Sequence, residues 1–215
     1  GKLPDNLLDN WSEIRLLDFS NNDFRGKFIS IGGSRHPKLV NVFLERNSFT
    51  GSLPAAKGLD LLQVIDVGYN KLIGSIPLSW TTLPKLRDFN VAGNRMTGKI
   101  PEDILFLTNL ESLILSGNGF SGTIPQGGII LADEDFEEAY EPKWSNLKKL
   151  SLLMLNHNLL SGTVPPELCL GLSDSLEILD IGNNTLWGPI PKEIAKLTKL
   201  QTIDAQGNSF TGTLP

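Results

Sequence analysis

The stretch "LQVIDVGYNKLIGSIP", residues 62–77, decides how this chain folds. Ile65 and Val67 alternate with Val64, Asp66 and Gly68, the two-residue period of a strand with one buried face, and Leu62 precedes them on the inward side. Asn70 follows. Its amide carries two donors and an acceptor, so it can satisfy backbone groups in adjacent buried turns. Each such group left unpaired would cost roughly 1–3 kcal/mol. Gly74 permits a positive φ. Pro77, which lacks an N–H, is expected to end a short strand around Ser75–Ile76.

The phrase recurs from end to end. "NSFTGSLP" at 47–54 returns as "NSFTGTLP" at 208–215, with "NKLIGSIP", "NGFSGTIP", "NLLSGTVP" and "NTLWGPIP" between them. Aligned by its asparagine, the unit reads L-x-x-L-x-L-x-x-N-x-L-x-G-x-I-P. Its asparagines are Asn22, Asn47, Asn70, Asn94, Asn118, Asn158, Asn184 and Asn208. Their steps are 25, 23, 24, 24, 40, 26 and 24 residues. One coil of this kind cannot bury its own apolar edge, so recurrence supplies a continuous core. We expect all eight asparagines to be buried in a ladder, and eight strands to stack into a parallel sheet.

This unit resembles the plant-specific class of leucine-rich repeats, whose hallmark is the G-x-I-P phrase after the asparagine. The resemblance covers essentially the whole chain. The first repeat, "NDFRGKFI", departs most, because it lacks the proline. It implies an α/β right-handed solenoid of about eight repeats, with a concave parallel sheet and short strands or 3-10 turns on the convex side. It also implies company with receptor-kinase ectodomains, receptor-like proteins and inhibitors of secreted hydrolases, hence an extracellular or cell-surface setting. The chain opens and closes inside the repeated phrase, at Gly1–Pro4 and Leu214–Pro215. We therefore read residues 1–215 as a single solenoid domain and a fragment of a longer chain.

The 40-residue step marks an insertion at residues 126–145, which interrupts the repeat of Asn118 and returns by Asn146–Leu147. Six of its residues, Asp133, Glu134, Asp135, Glu137, Glu138 and Glu141, are acidic. The net charge of the whole chain is -5, so the remainder is near neutral and offers no obvious footprint for a nucleic-acid backbone. Phe136, Tyr140 and Trp144 stand four apart, as on one face of a short helix covering the solenoid flank. Asp133-x-Asp135-x-Glu137 begins like a calcium loop, but Glu138 occupies the place of the required glycine. No run of apolar residues is long enough to span a membrane.

Catalytic motifs do not survive the repeat register. Gly117–Gly122 spells G-x-G-x-x-G after a strand, yet Gly122 leads into Thr-Ile-Pro and no helix opens there. His157 falls at the end of a concave strand, and Cys169, the single cysteine, falls on the convex return as an apolar filler. His36 lies in a loop. The reading is a non-enzyme with no cofactor and no metal. Asn10 and Asn183 open N-glycosylation sequons.

Binding is therefore assigned to the concave sheet, where eight strands expose roughly 34 Å of surface at about 4.8 Å per strand. Asp fills four of the eight middle-strand positions, 18, 66, 180 and 204, and Phe43, Ile114 and Met154 depart from that pattern. With Arg46, Val64, Tyr69, Arg87, Asp88, Leu152 and His157 they form the candidate ligand-binding set. A peptide or protein is the expected ligand. A cell-wall glycan through the same face, a structural or adhesive scaffold, and an inhibitor of a secreted hydrolase are the alternatives.

Overall fold

Sixteen short strands in strict alternation build two eight-stranded parallel sheets. These are seen in a computed structural model that describes residues 1–4, 7–32, 35–127 and 141–214. The concave sheet takes one three-residue strand per coil: β1 (Leu16–Asp18), β3 (Asn41–Phe43), β5 (Val64–Asp66), β7 (Asp88–Asn90), β9 (Ser112–Ile114), β11 (Leu152–Met154), β13 (Ile178–Asp180) and β15 (Thr202–Asp204). Register is constant, so Asp18, Phe43, Asp66, Asn90, Ile114, Met154, Asp180 and Asp204 stand in one row across the sheet. The inward residue of each strand from Leu17 to Leu179 is buried. In the last coil Ile203 remains 45% exposed, since no described coil stacks on it.

The second sheet is more extensive than the expected scatter of short strands. It comprises β2 (Arg25–Lys27), β4 (Ser48–Gly51), β6 (Lys71–Gly74), β8 (Arg95–Lys99), β10 (Gly119–Thr123), β12 (Leu159–Gly162), β14 (Thr185–Pro189) and β16 (Ser209–Thr211). In the coil of Asn70 the strand precedes Ser75–Ile76, where it was expected, because pairing begins immediately after the asparagine. It closes on Gly74, whose φ is 84°. The convex return is made of 3-10 turns at Leu78–Trp80, Glu102–Phe106, Trp144–Asn146 and Lys192–Lys196, and of one α-helix, α1 (Pro166–Gly171).

The asparagines join these layers. From Asn47 onward, each side-chain oxygen accepts the N–H two residues beyond the preceding coil's asparagine, and each side-chain nitrogen donates to a carbonyl of that preceding coil. Asn94 is typical. Its Oδ1 accepts from Leu72 N–H at 2.9 Å, and its Nδ2 reaches the Val67 carbonyl at 3.0 Å. The same pair of bonds recurs at Asn47, Asn70, Asn118, Asn158, Asn184 and Asn208. The expectation of eight buried asparagines needs correction. Asn70, Asn94, Asn158 and Asn184 are buried, Asn47, Asn118 and Asn208 are half-buried, and Asn22 is exposed. Among the described residues the Asn22 side chain bonds only within its own turn, at the Phe19 and Ser20 carbonyls. The bonding pattern, not burial, is what identifies the register.

Trp144 also differs from expectation. It was placed on an insertion helix, but it is buried and donates Nε1–H to the Pro125 carbonyl at 2.8 Å. Trp80 holds the same repeat position, 14 residues before its ladder asparagine, is likewise buried, and donates to the Pro54 carbonyl of the preceding coil. The chain has thus rejoined the repeat by Trp144, before Asn146. Gly171 of α1 packs so closely here that an added Cβ would lie 2.5 Å from Ser145 N. The expected helix and its residues Phe136 and Tyr140, with the acidic run 133–138, lie outside the described residues.

Two outcomes follow from this architecture. Replacing Asn94 by Ala strands Leu72 N–H and takes one of two donors from the Val67 carbonyl, which Asn70 Nδ2 still meets at 3.1 Å, and is expected to lower stability by about 1–3 kcal/mol. Asn22→Ala should cost under about 1 kcal/mol, because water replaces its local bonds. Chemical denaturation of both variants checks the contrast. Joining Gln126 directly to Lys143 restores the usual period, and the product should melt within a few degrees of the parent, since loop length alters closure entropy slowly; failure to fold would make the insertion part of the core.

Candidate functional site

The outward row of the concave sheet is built by turn chemistry as much as by strand pairing. Asp66 Oδ1 accepts Gly68 N–H at 2.8 Å, and Asp18, Asn90, Asp180 and Asp204 cap their own turns in the same way. Phe43, Ile114 and Met154 forgo that bond and leave apolar side chains in its place. Their coils keep the turn because the ladder asparagine holds it. All three are half-buried, as are Val64 and Leu152. Neighbouring strands thus already shield part of the apolar surface that the sequence suggested was open.

The structure divides the candidate set. Phe43 and Val64 are diagonal neighbours on β3 and β5. Ile114 pairs with Met154, and Leu152 pairs with Ser112 and Ile178. Between the two apolar groups runs β7, whose outward residues are Asp88 and Asn90. Arg87 lies before the sheet and donates to both carboxylate oxygens of Glu111, at 3.0 and 2.7 Å, so it is committed to that pair.

A second row, immediately before the ladder asparagines, has a conformation the sequence did not announce. Asn21, Arg46, Tyr69, Gly93, Gly117, His157, Asn183 and Gly207 all have positive φ, between 51° and 65°. Glycine adopts this region freely; Arg, Tyr and His do so at a cost of order 1 kcal/mol. Arg46 places its guanidinium 5.0 Å from the centre of the Tyr69 ring. That ring in turn leans on Gly93, where a Cβ would meet it at 2.7 Å. His157 Nε2 is 3.4 Å from Asn183 Nδ2. The sequon residue Asn183 is thus already engaged, whereas Asn10 is exposed.

Two further residues belong here and were missed: Glu45 and Asn156. Apart from Gln206 in the last coil, their row otherwise carries smaller groups: Ser20, Gly68, Ala92, Ser116 and Gly182. Glu45 Oε2 and Asn156 Oδ1 are buried and have no hydrogen-bond partner among the described residues. The available signal was their size against small neighbours at the same repeat position.

The face is acidic. Burial holds the carboxyls of Asp66, Asp88, Asp180 and Glu45 above their ordinary range; Glu111 repels Asp88, Asp204 repels Asp180, and Asp66 and Asp18 repel Glu45. Hydrogen bonds from Arg87 pull Glu111 down, and the bond from Ser20 does so for Asp18. Across the coil, Cys169 is fully buried in α1, and burial, with repulsion from Glu193, pushes its thiol up to about 11. It lies on the opposite side of the coil from His157. Gly117–Gly122 belongs to the ladder turn and β10. Among the described residues no group of three or more His, Cys, Asp or Glu could hold a metal ion, and no helix is long and apolar enough to cross a membrane.

Asp180 gives a clean test of this electrostatic strain. Its folded pKa is raised, so ionisation costs stability above that pKa, and the cost vanishes as pH falls below the ordinary value of 3.8. Asn keeps the Gly182 turn bond, as Asn90 does for Ala92. Asp180→Asn should therefore stabilise the chain by about 0.5 kcal/mol at pH 7, a figure reduced for solvent screening, and by nothing near pH 3. Denaturant midpoints at the two pH values decide it.

The leucine-rich repeat family profile matches residues 109–127 and 175–197. Over 189 residues, 86% of the chain, the sequence is 41% identical to receptor-like protein kinase BRI1-like 3 of Arabidopsis thaliana, of which it covers 15%. It is 31% identical to Cuscuta receptor 1 of Solanum lycopersicum across 100% of the chain and 16% of that protein. The chain thus spans less than a fifth of the length of the curated relatives it matches. Among solved structures, the ectodomain of the Arabidopsis receptor kinase HAESA, in complex with an N-terminally extended IDA peptide hormone ligand, superposes on 98% of the chain with a TM-score of 0.78 and 29% identity; the chain covers 33% of it. The chain is a leucine-rich repeat protein, similar to the ectodomains of plant receptor-like proteins.

Proposed function

We propose that the chain is a non-catalytic recognition segment of a secreted or cell-surface protein, and that an extended peptide or protein segment lies along its concave sheet. One observation carries this reading: the outward face has two raised posts with a smooth floor between them. The first post is Phe43, Glu45 and Arg46, with Tyr69 stacked under the arginine. The second is Met154, Asn156 and His157, with Ile114 and Leu152 beside it. The floor is Gly68, Ala92, Ser116, Gly93 and Gly117, whose side chains are small or lacking; Gly68 and Ala92 are buried, and the Tyr69 ring lies over Gly93. From β3 to β11 there are four strand gaps, about 19 Å. An extended segment of about six residues covers that distance.

The chemistry suits a peptide. The buried, unpartnered oxygens of Glu45 and Asn156 can accept backbone N–H groups from a ligand. The carboxylates along the floor favour a ligand bearing Lys, Arg or a free amino terminus, whose charge would relieve the raised pKa values of Asp66 and Asp180. Apolar ligand side chains would cover Phe43 at one end and Ile114, Leu152 and Met154 at the other. These residues are already half-covered, so each is worth about 1 kcal/mol, less than a fully exposed side chain. Similarity to a receptor ectodomain solved with a peptide hormone supports the same ligand class.

The test uses peptides enriched on the immobilised chain from a random library about twelve residues long. Replacing Ile114 and Met154 together by Asp should weaken those peptides roughly 10–30-fold while the far-ultraviolet spectrum stays unchanged. Peptides that bind the folded double variant as well as the parent would remove the concave face from the reading.

A further inference from the structure

The second sheet carries a charge pattern opposite to that of the concave sheet. In its N-terminal half, Arg25 and Lys27 on β2, Lys71 on β6, and Arg95 and Lys99 on β8 all point outward and are exposed. Lys2 joins them through its bridge to Arg25. Among the described residues at the outward positions of this sheet, only Asp23 is acidic. None of the six cations makes an ion pair or a side-chain hydrogen bond among the described residues, whereas Arg35, Lys38, Arg87 and Lys143 are all paired.

Geometry holds these charges in a strip. Lys27, Thr50 and Lys71 share one row across three strands, which sets the lysines about 10 Å apart. Ile73 sits beside Arg95 in the next row and is 52% exposed. Two stems rest on glycines: Lys2 Cγ is 3.5 Å from the point where a Cβ on Gly26 would be, and Lys99 Cγ is 3.1 Å from that point on Gly122. Like charges this close lie within about one Debye length, so their fields add. A cleft of about 400 Å³ opens among Lys2, Asp23, Arg25, Ser48, Thr50 and Lys71.

We infer that this strip is a second interaction surface, and that it takes a linear polysaccharide carrying carboxylate groups. The sign and length of the strip call for an extended polyanion. What lies between the cations narrows the class. Ser48, Thr50, Ser52, Ser75 and Thr97 line the strip with hydroxyls, which suit a polyhydroxylated chain, and Ile73 offers an apolar spot for the C–H face of a sugar ring. Toward the C-terminus the sheet continues in the hydroxyls of Ser121, Thr123, Ser161 and Thr185, broken by the exposed Leu159, to Trp187, an indole 57% exposed. A polynucleotide would want aromatic platforms among the cations, and none stands there among the described residues.

The surface is separate from the concave one, so its failure leaves the peptide reading untouched. The probe is a sodium polyuronate, with its fully methyl-esterified form, polyglutamate and a single-stranded polynucleotide as comparisons. The parent should bind the polyuronate, lose it in about 0.5 M salt, and bind the ester, polyglutamate and the polynucleotide at least about tenfold more weakly. Charge reversal at Arg25→Glu, Lys71→Glu and Arg95→Glu together should weaken binding at least about tenfold, while Lys192→Glu with Lys196→Glu on the convex side leaves it unchanged. These side chains hold nothing in the fold, and thermal melts confirm that the variants are intact. Three results would each overturn the inference: no polyuronate binding, equal binding after charge reversal, or equal binding of polyglutamate or the polynucleotide.

Discussion

One side-chain amide per coil holds the two sheets and the convex turns in register. The ladder asparagine bonds backward to the preceding coil and inward to its own turn, so it fixes both the stacking and the bend of the chain in a single group. Nothing apolar could do this. Packing is tolerant of small slips, whereas an amide that must meet an N–H and a carbonyl of a neighbouring coil is not. Asn22 and Asn94 mark the extremes. The first holds only itself; the second satisfies buried groups belonging to two coils.

With register fixed, the apolar interior becomes repetitive and the exterior becomes free. Leu62, Ile65 and Val67 have near equivalents in coil after coil, because each touches the same residue types above and below. The outward positions have no such obligation. Asp66 caps its turn, but Phe43 and Met154 show that the cap is dispensable where the asparagine holds the turn. The left-handed position before the asparagine behaves alike. Glycine is the least costly occupant, yet Arg46, Tyr69 and His157 stand there, and the surrounding coils bear the strain. These departures cluster into the two posts that bound the floor.

Charge is distributed by face, not by segment. Counted along the chain, acids and bases outside the insertion nearly cancel, which argued against a polyanion footprint. The solenoid sorts them: carboxylates line the concave sheet, and unpaired lysines and arginines line the first half of the second sheet. A linear sequence interleaves the two faces every few residues, so a running sum is blind to them. The raised carboxyl pKa values of the concave face and the bare cations of the other are consequences of that sorting.

The sequence by itself determined the repeat, its parallel sheet, the inward residues and the asparagine register, because each of these follows from a local period that stacking merely copies. It also located Phe43, Ile114 and Met154, as departures from that period. Tertiary structure decided the rest. It divided the apolar patch by setting Asp88 and Asn90 between its halves, tied Arg87 to Glu111, drew Trp144 into the core and brought Glu45 and Asn156 to the face with oxygens lacking partners. It also joined scattered three-to-five-residue strands into a second full sheet and thereby gathered Arg25, Lys71 and Arg95. Such facts depend on which residue stands beside which in the neighbouring coil, some 24 positions away, and no pattern within one coil contains them.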